Sequence, residues 1–147
     1  MLVLKRYIGL IKARSSMAFT INWLDSGVYV NHYGDVWVSD IHKTDNLLYG
    51  DERFNSISFQ IYDMTGLEKV FEGEKEIKTV VGYDMGATFW KNKMKVAVVS
   101  DNNPMVEELY HVYKEGMAHT SWEINLFKTL EEAKSWCGSL KANFLDQ

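Results

Sequence analysis

Apolar and polar positions alternate near the start of the chain in two short runs, "FTINWL" and "VYVNHY", separated by Asp25-Ser26-Gly27. A period of two predicts two strands around a tight turn, where Gly27 can supply a positive φ. Residues 38–49 read as a short helix closed by "GDERF", and "SISFQIYD" as the next apolar strand. Strand, helix, strand is the sign of a parallel crossover. A helix is predicted from Glu74 to Trp90, with Ile77, Val80, Val81, Met85 and Thr88 near one face, although Gly82 and Gly86 weaken it. "KVAVVS" is a short buried strand. Asn103 as N-cap and Pro104 at the first helical position open the next helix, which Gly116 is expected to end. Its buried stripe is Val106, Leu109, Tyr110 and Tyr113. "SWEINLF" returns to strand alternation, and Thr129 with Glu132 forms a capping box ahead of Leu130, Ala133, Trp136, Cys137 and Leu140 at helical spacing. The pattern therefore predicts an α/β domain: a hairpin, three strand-helix-strand crossovers and a closing helix.

At 147 residues the chain suits one domain with one core. Hydrophobic content of 46% with 24% charged residues excludes a disordered or fibrous class. No apolar run approaches the roughly 20 residues of a spanning helix, so a soluble, cytoplasmic protein without a transmembrane segment is expected. The single cysteine, Cys137, cannot form an internal disulfide and fits a reducing compartment. Charge divides the chain. Residues 1–16 hold Lys5, Arg6, Lys12 and Arg14 and no acid, which leaves 12 basic against 20 acidic residues in the remainder. An acidic body with no basic stripe argues against nucleic acid as a partner. Residues 1–16 are thus a basic leader, separate from a domain over 17–147. The leader is interrupted by charges and is no secretory signal. Leu4, Tyr7, Ile8 and Ile11 would share a helical face, which allows a membrane-surface helix; a start at Met17, or a helix packed on the domain, is preferred.

The segments "VYVNHYGDV", "LLYGDERFNSISFQIYD", "GYDMGATFWKNKMKVAVVSDN" and "EINLFKTLEEAKSWC", in this order and spacing, give the chain a resemblance to the SpoIIAA-like family. These are small bacterial domains related to the sulphate transporter and anti-sigma-factor antagonist (STAS) superfamily and, more distantly, to CRAL-TRIO lipid-binding domains. The resemblance covers about Phe19 to Gly138. It implies a mixed sheet of four or five strands flanked by about four helices, and no reaction. In anti-sigma-factor antagonists of this kind the phosphorylated hydroxyl lies in an Asp-Ser-Ser-Gly or Asp-Ser-Thr-Gly turn just before a helix. Two registers compete here. If Asp63-Met64-Thr65-Gly66 is that turn, Thr65 is the phosphoacceptor and a helix begins at Leu67. In the preferred register the turn falls near Val70 to Gly73, where no hydroxyl stands.

Ligands of open sheets with parallel strands bind beyond the carboxyl ends of the strands. The segments expected to leave those ends supply the candidate binding edge: Tyr33, Asp35, Asp63, Thr65, Gly66, Asp101, Asn102, Asn103 and Lys128. Asp35, Asp63 and Asp101 could converge on magnesium; the preferred reading is that each ends a strand or caps a helix. His32, His42, His111 and His119 lack paired ligand spacing, so no metal and no cofactor are expected. Cys137, on an apolar stripe beside Trp136, reads as an inert thiol. His111 has no assignable nucleophile or carboxylate partner, and the common phosphate-loop, dinucleotide and zinc-protease signatures are absent. No catalytic residue is assigned. Five tryptophans and eight tyrosines exceed what so small a core readily hides. Exposed aromatics would anchor a protein partner or a homodimer, making the chain a non-enzymatic regulatory interaction module. The alternative is a carrier or sensor of a small apolar or lipid-like ligand. An exposed apolar patch favours the first, an enclosed apolar volume of roughly 300 Å³ or more the second.

Overall fold

A computed structural model describes residues 18–138. The basic leader, the boundary at residue 17 and Leu140 lie outside the described residues. Five strands form one sheet in sequence order: β1 (Ala18–Trp23), β2 (Gly27–Trp37), β3 (Phe59–Phe71), β4 (Lys95–Val99) and β5 (Glu123–Phe127). β1 is antiparallel to β2, and the other pairs are parallel. Between parallel strands run α1 (Val38–Tyr49), with a 3₁₀ turn over Glu52–Ser56, then α2 (Glu74–Ala87) and α3 (Pro104–Met117); α4 (Leu130–Cys137) follows β5. This is the hairpin, three crossovers and closing helix that the pattern predicts.

The strand order explains the layering. Crossovers between parallel strands are right-handed, and here each steps to the next strand in the same direction, so α1, α2 and α3 fall on one face of the sheet. The main core lies there, built from residues such as Val28, Val30, Tyr62, Val80, Val96 and Leu109. On the other face α4 covers a smaller cluster of Tyr29, Phe59, Ile61, Ala97, Val99 and Ala133. Because the order never reverses, the sheet lacks the switch-point crevice in which α/β folds usually hold ligands.

Several local expectations change. Gly27 has no positive φ; a Cβ there would lie 2.2 Å from the buried Phe59 ring, so close approach and not turn geometry requires the glycine. Gly116 does not end α3, which runs to Met117; a Cβ at 116 would meet Val81 Cγ1 at 2.8 Å, so it lets α2 and α3 approach. α2 stops at Ala87, and its buried face is Ile77, Val80, Val81, Asp84 and Ala87, whereas Met85 is 41% exposed. At α4, Thr129 Oγ1 accepts from Glu132 N at 3.2 Å, but the Glu132 carboxylate meets the Thr129 hydroxyl at 3.0 Å and not its amide. The reaching-back carboxylate is found at α2, where Gly73 N donates to Glu76 Oε2 at 2.9 Å.

The largest departure is in β2 and β3. Both continue past Tyr33 and Asp63 as a two-stranded parallel ribbon beyond the ends of β4 and β5, through register shifts at Asn31/Tyr33 and Gly34/Asp35. Gly34, at φ 74°, takes the left-handed conformation in the second shift. The ribbon ends in a Trp37–Phe71 ring stack at 4.8 Å. Glu72 then turns back at φ 72°, and its Oε1 accepts from Ser39 N at 2.9 Å and Ser39 Oγ at 2.6 Å, capping the start of α1 from outside the helix.

Candidate functional site

The extension of β2 and β3 redistributes the strand-end candidates. Tyr33, 43% exposed, and Asp35, also exposed, lie within the ribbon, paired with Gly66 and Lys69. Asp63 is buried on the α4 side: Oδ2 accepts from Tyr29 OH at 2.6 Å, and Oδ1 from Thr65 N at 3.0 Å and Thr65 Oγ1 at 2.6 Å. Thr65 is exposed inside β3, and no helix begins at Leu67; the turn before α2 is Glu72-Gly73, without a hydroxyl. Thr65 does meet Asp101, Asn102 and Asn103 along an open groove of about 390 Å³. Within it Asn103 Oδ1 is committed to capping α3, accepting from Met105 N at 3.1 Å and Val106 N at 3.3 Å. Asp35, Asp63, Gly66 and Lys128 do not line this groove. Among the described residues no three His, Cys, Asp or Glu side chains are grouped as metal ligands, so the three strand-end acids do not converge.

A second cluster lies on the opposite face, inside the main core. Asp45 of α1 and Asp84 of α2 are 1% and 5% exposed. Each sits on the apolar stripe of its helix, Asp45 between Val38, Ile41 and Leu48, Asp84 beside Ile77, Val80 and Val81. Tyrosines from three elements converge on them. Tyr62 OH of β3 donates to Asp45 Oδ1 at 2.6 Å, Tyr113 OH of α3 to Asp84 Oδ2 at 2.5 Å, and Tyr49 OH of α1 to Asp84 Oδ1. The two carboxyls also face each other, and two carboxyls held together in a buried site do not both ionise, so the pair holds a proton between them. Burial, then the charge of Asp84, holds the Asp45 carboxyl well above the usual carboxylate range. Burial also raises Asp84, but the hydrogen bonds from Asp45, Tyr113 and Tyr49 oppose it. The same burial and the adjacent carboxylates push Tyr62 and Tyr113 far up, which keeps both phenols neutral donors.

This pair borders a cavity of about 80 Å³ between the sheet and α1–α3. Its other walls are largely aliphatic, including Val36, Ile41, Met64, Val80 and Leu109. Ile41, Leu67 and Val70 are only half-buried and mark its approach to solvent. Nearby, His32 is fully buried and stacks on Tyr62 at 6.2 Å, with neither ring nitrogen hydrogen-bonded. Burial lowers its pKa to about 4. The sequence reading missed Asp45 and Asp84, although their spacing from apolar neighbours carried the signal.

Most of the aromatic surplus is absorbed by packing. Trp122 is buried with Nε1 donating to Lys91 O at 2.7 Å, and Trp23, Trp37 and Trp136 are half-buried. Cys137 is half-buried, and burial pushes its thiol up to about 12. Tyr33 and Tyr83 are exposed singly, but in the turn after α2 two large rings adjoin, Phe89 at 88% and Trp90 at 50% exposed, one helical turn beyond the exposed Met85. Trp90 also lies edge-on to Tyr49 at 5.8 Å and to Phe54 at 5.2 Å. Tyr49 thus touches both the exposed corner and, through its hydroxyl, the buried Asp84.

No family model matches the chain, and no curated protein matches it in sequence. Solved structures match in fold. The anti-sigma factor antagonist SpoIIAA in its unphosphorylated form is 16% identical, with a TM-score of 0.52 over 82% of this chain and 97% of that one. A protein of the DUF3478 family with a SpoIIAA-like fold, from Shewanella loihica PV-4, is 16% identical over 82% and 93% of the two chains, with a TM-score of 0.49. An anti-sigma factor antagonist from Mycobacterium paratuberculosis is 15% identical over 84% and 96%, also with a TM-score of 0.49. The chain therefore has the SpoIIAA-like fold, a mixed five-stranded sheet with helices on both faces. Among the described residues no helix is long and apolar enough to cross a membrane.

Proposed function

We propose that the chain is a regulatory protein-interaction module that acts by binding and not by catalysis. The observation that carries this reading is the Phe89–Trp90 corner: a phenylalanine 88% exposed beside a tryptophan 50% exposed. Large aromatic side chains with few rotatable bonds are the residues that anchor protein interfaces, and a folded monomer gains nothing by leaving them in water. The fold shared with SpoIIAA, an anti-sigma factor antagonist, supports the reading at the level of architecture. Photo-crosslinking tests it. With a benzophenone amino acid at position 89, a discrete crosslinked protein, either a partner or a second copy of the chain, is expected in the native host. The same probe at Glu131 on α4 should give none, and Trp90→Ser should weaken the crosslink at 89. Equal capture from both positions, or none from either, would remove the interaction reading.

A second reading, a sensor of a small apolar molecule, is favoured by the cavity beside Asp45 and Asp84. At about 80 Å³ it falls below the roughly 300 Å³ of a pocket for drug-sized ligands, so this reading is narrowed from a lipid carrier to a small-molecule sensor.

A further inference from the structure

At the polar end of the cavity four carboxyl oxygens meet three phenols. Tyr49, Tyr62 and Tyr113 each own one hydroxyl proton, and all three are directed at carboxylate oxygens of Asp45 or Asp84. Asp45 Oδ2, in a side chain 1% exposed, receives no hydrogen bond from any hydroxyl or amide. Among the described residues no lysine, arginine or histidine lines the cavity and neither acid joins an ion pair. A carboxylate in this low-dielectric site has no counter-ion among the described residues. Such a charge is costly unless something positive meets it. The remaining wall offers only dispersion and apolar contact.

We infer that the cavity is a binding site for a small organic cation, a short alkylammonium whose head docks on the Asp45–Asp84 pair and whose chain lies along the aliphatic wall. The head supplies N–H donors and the positive charge that the lining lacks. Carboxylates and phosphates are repelled by the same acids, and an alcohol brings one donor without charge. Size limits the chain: a cavity of about 150 Å³ accepts benzene, so about 80 Å³ holds roughly three or four non-hydrogen atoms. This inference rests on the small-molecule reading and names its ligand class; the crosslinking at Phe89 is independent of it.

The test is a chemical-shift titration of the full labelled chain near pH 7 with n-propylammonium chloride, n-propanol and sodium propionate at matched ionic strength. Saturable shifts at Asp45, Asp84, Tyr62 and Tyr113 are expected with propylammonium, at least tenfold weaker binding with propanol, and none with propionate. Asp84→Asn should weaken propylammonium binding at least tenfold. Tyr113→Phe, which keeps both acids, should retain the preference for amine over acid. Three results would overturn the inference: no saturable shift with propylammonium, propanol or propionate binding as tightly, or affinity unchanged in Asp84→Asn. The comparison among the three compounds uses the unaltered chain, so it stands even if a variant fails to fold.

Discussion

Asp63 and Asp45 are both buried acids bordering the central strand, yet their surroundings are opposite. Asp63 has three donors, one phenol, one amide and one hydroxyl, two of them supplied by Thr65 only two residues away. Asp45 has one phenol and a second acid. A carboxylate given several donors serves to fix the strand, because its charge is already compensated where it lies. A carboxylate facing another carboxylate stores an unmet electrostatic demand, of the kind found where proteins bind or react with something. The acid that looks functional at a strand end, Asp63, is the satisfied one, and Asp45, hidden on a helix face, is not.

The sharpest way to probe this contrast is to remove the acid that holds two phenols. Asp84→Ala leaves Tyr49 and Tyr113 without acceptors in the core and should lower stability by about 3–5 kcal/mol in urea unfolding, reckoned from roughly 1–3 kcal/mol for each orphaned buried group and the lost packing. Next in size is the acid limb of the stability curve. Burial holds His32 neutral down to about pH 4, while its unfolded form takes a proton near its ordinary pKa of 6.5. Its contribution is fully present above 6.5 and is lost as the pH falls towards 4, amounting to roughly 3 kcal/mol. His32→Phe should flatten that limb in thermal melts taken across this range. Asp63→Ala follows, at about 1–3 kcal/mol, because it removes the buried acceptor of Tyr29 OH but leaves the exposed Thr65 free to bond water.

Asp45→Asn should be the mildest at neutral pH, since its amide can donate to Asp84 as the acid does. Its effect is on the slope. A carboxyl whose folded pKa is raised favours the folded state at low pH, and that contribution is lost as the pH rises through the raised value. Asn should therefore reduce the loss of stability as the pH rises from the ordinary carboxylate range to that raised value, which denaturant titrations at successive pH values would register.

The architecture was legible in the sequence because each crossover carries its own punctuation: Asn103-Pro104 opens α3, Thr129 opens α4, and alternation marks β1, β2 and β5. The ribbon was not, because Gly34 and Gly66 break the alternation, and only strand-to-strand register shifts restore it. Asp45 and Asp84 were legible by spacing alone. Asp84 stands seven residues after Ile77 and four after Val80, on the stripe, whereas the apolar Met85 beside it faces out. A pattern scored on hydrophobicity prefers Met85. The acid belongs there because Tyr49 and Tyr113, on α1 and α3, bring their hydroxyls to it, and those partners exist only in the assembled fold.

The central claim is that Asp45 and Asp84 share one proton in the core at neutral pH. Following the side-chain carboxyl ¹³C resonances of the two residues from pH 3 to 10 tests it directly. The account predicts that the pair holds one proton at pH 7, with the two residues titrating together. Two independent transitions near pH 4, with both carboxyls ionised at neutrality, would contradict it.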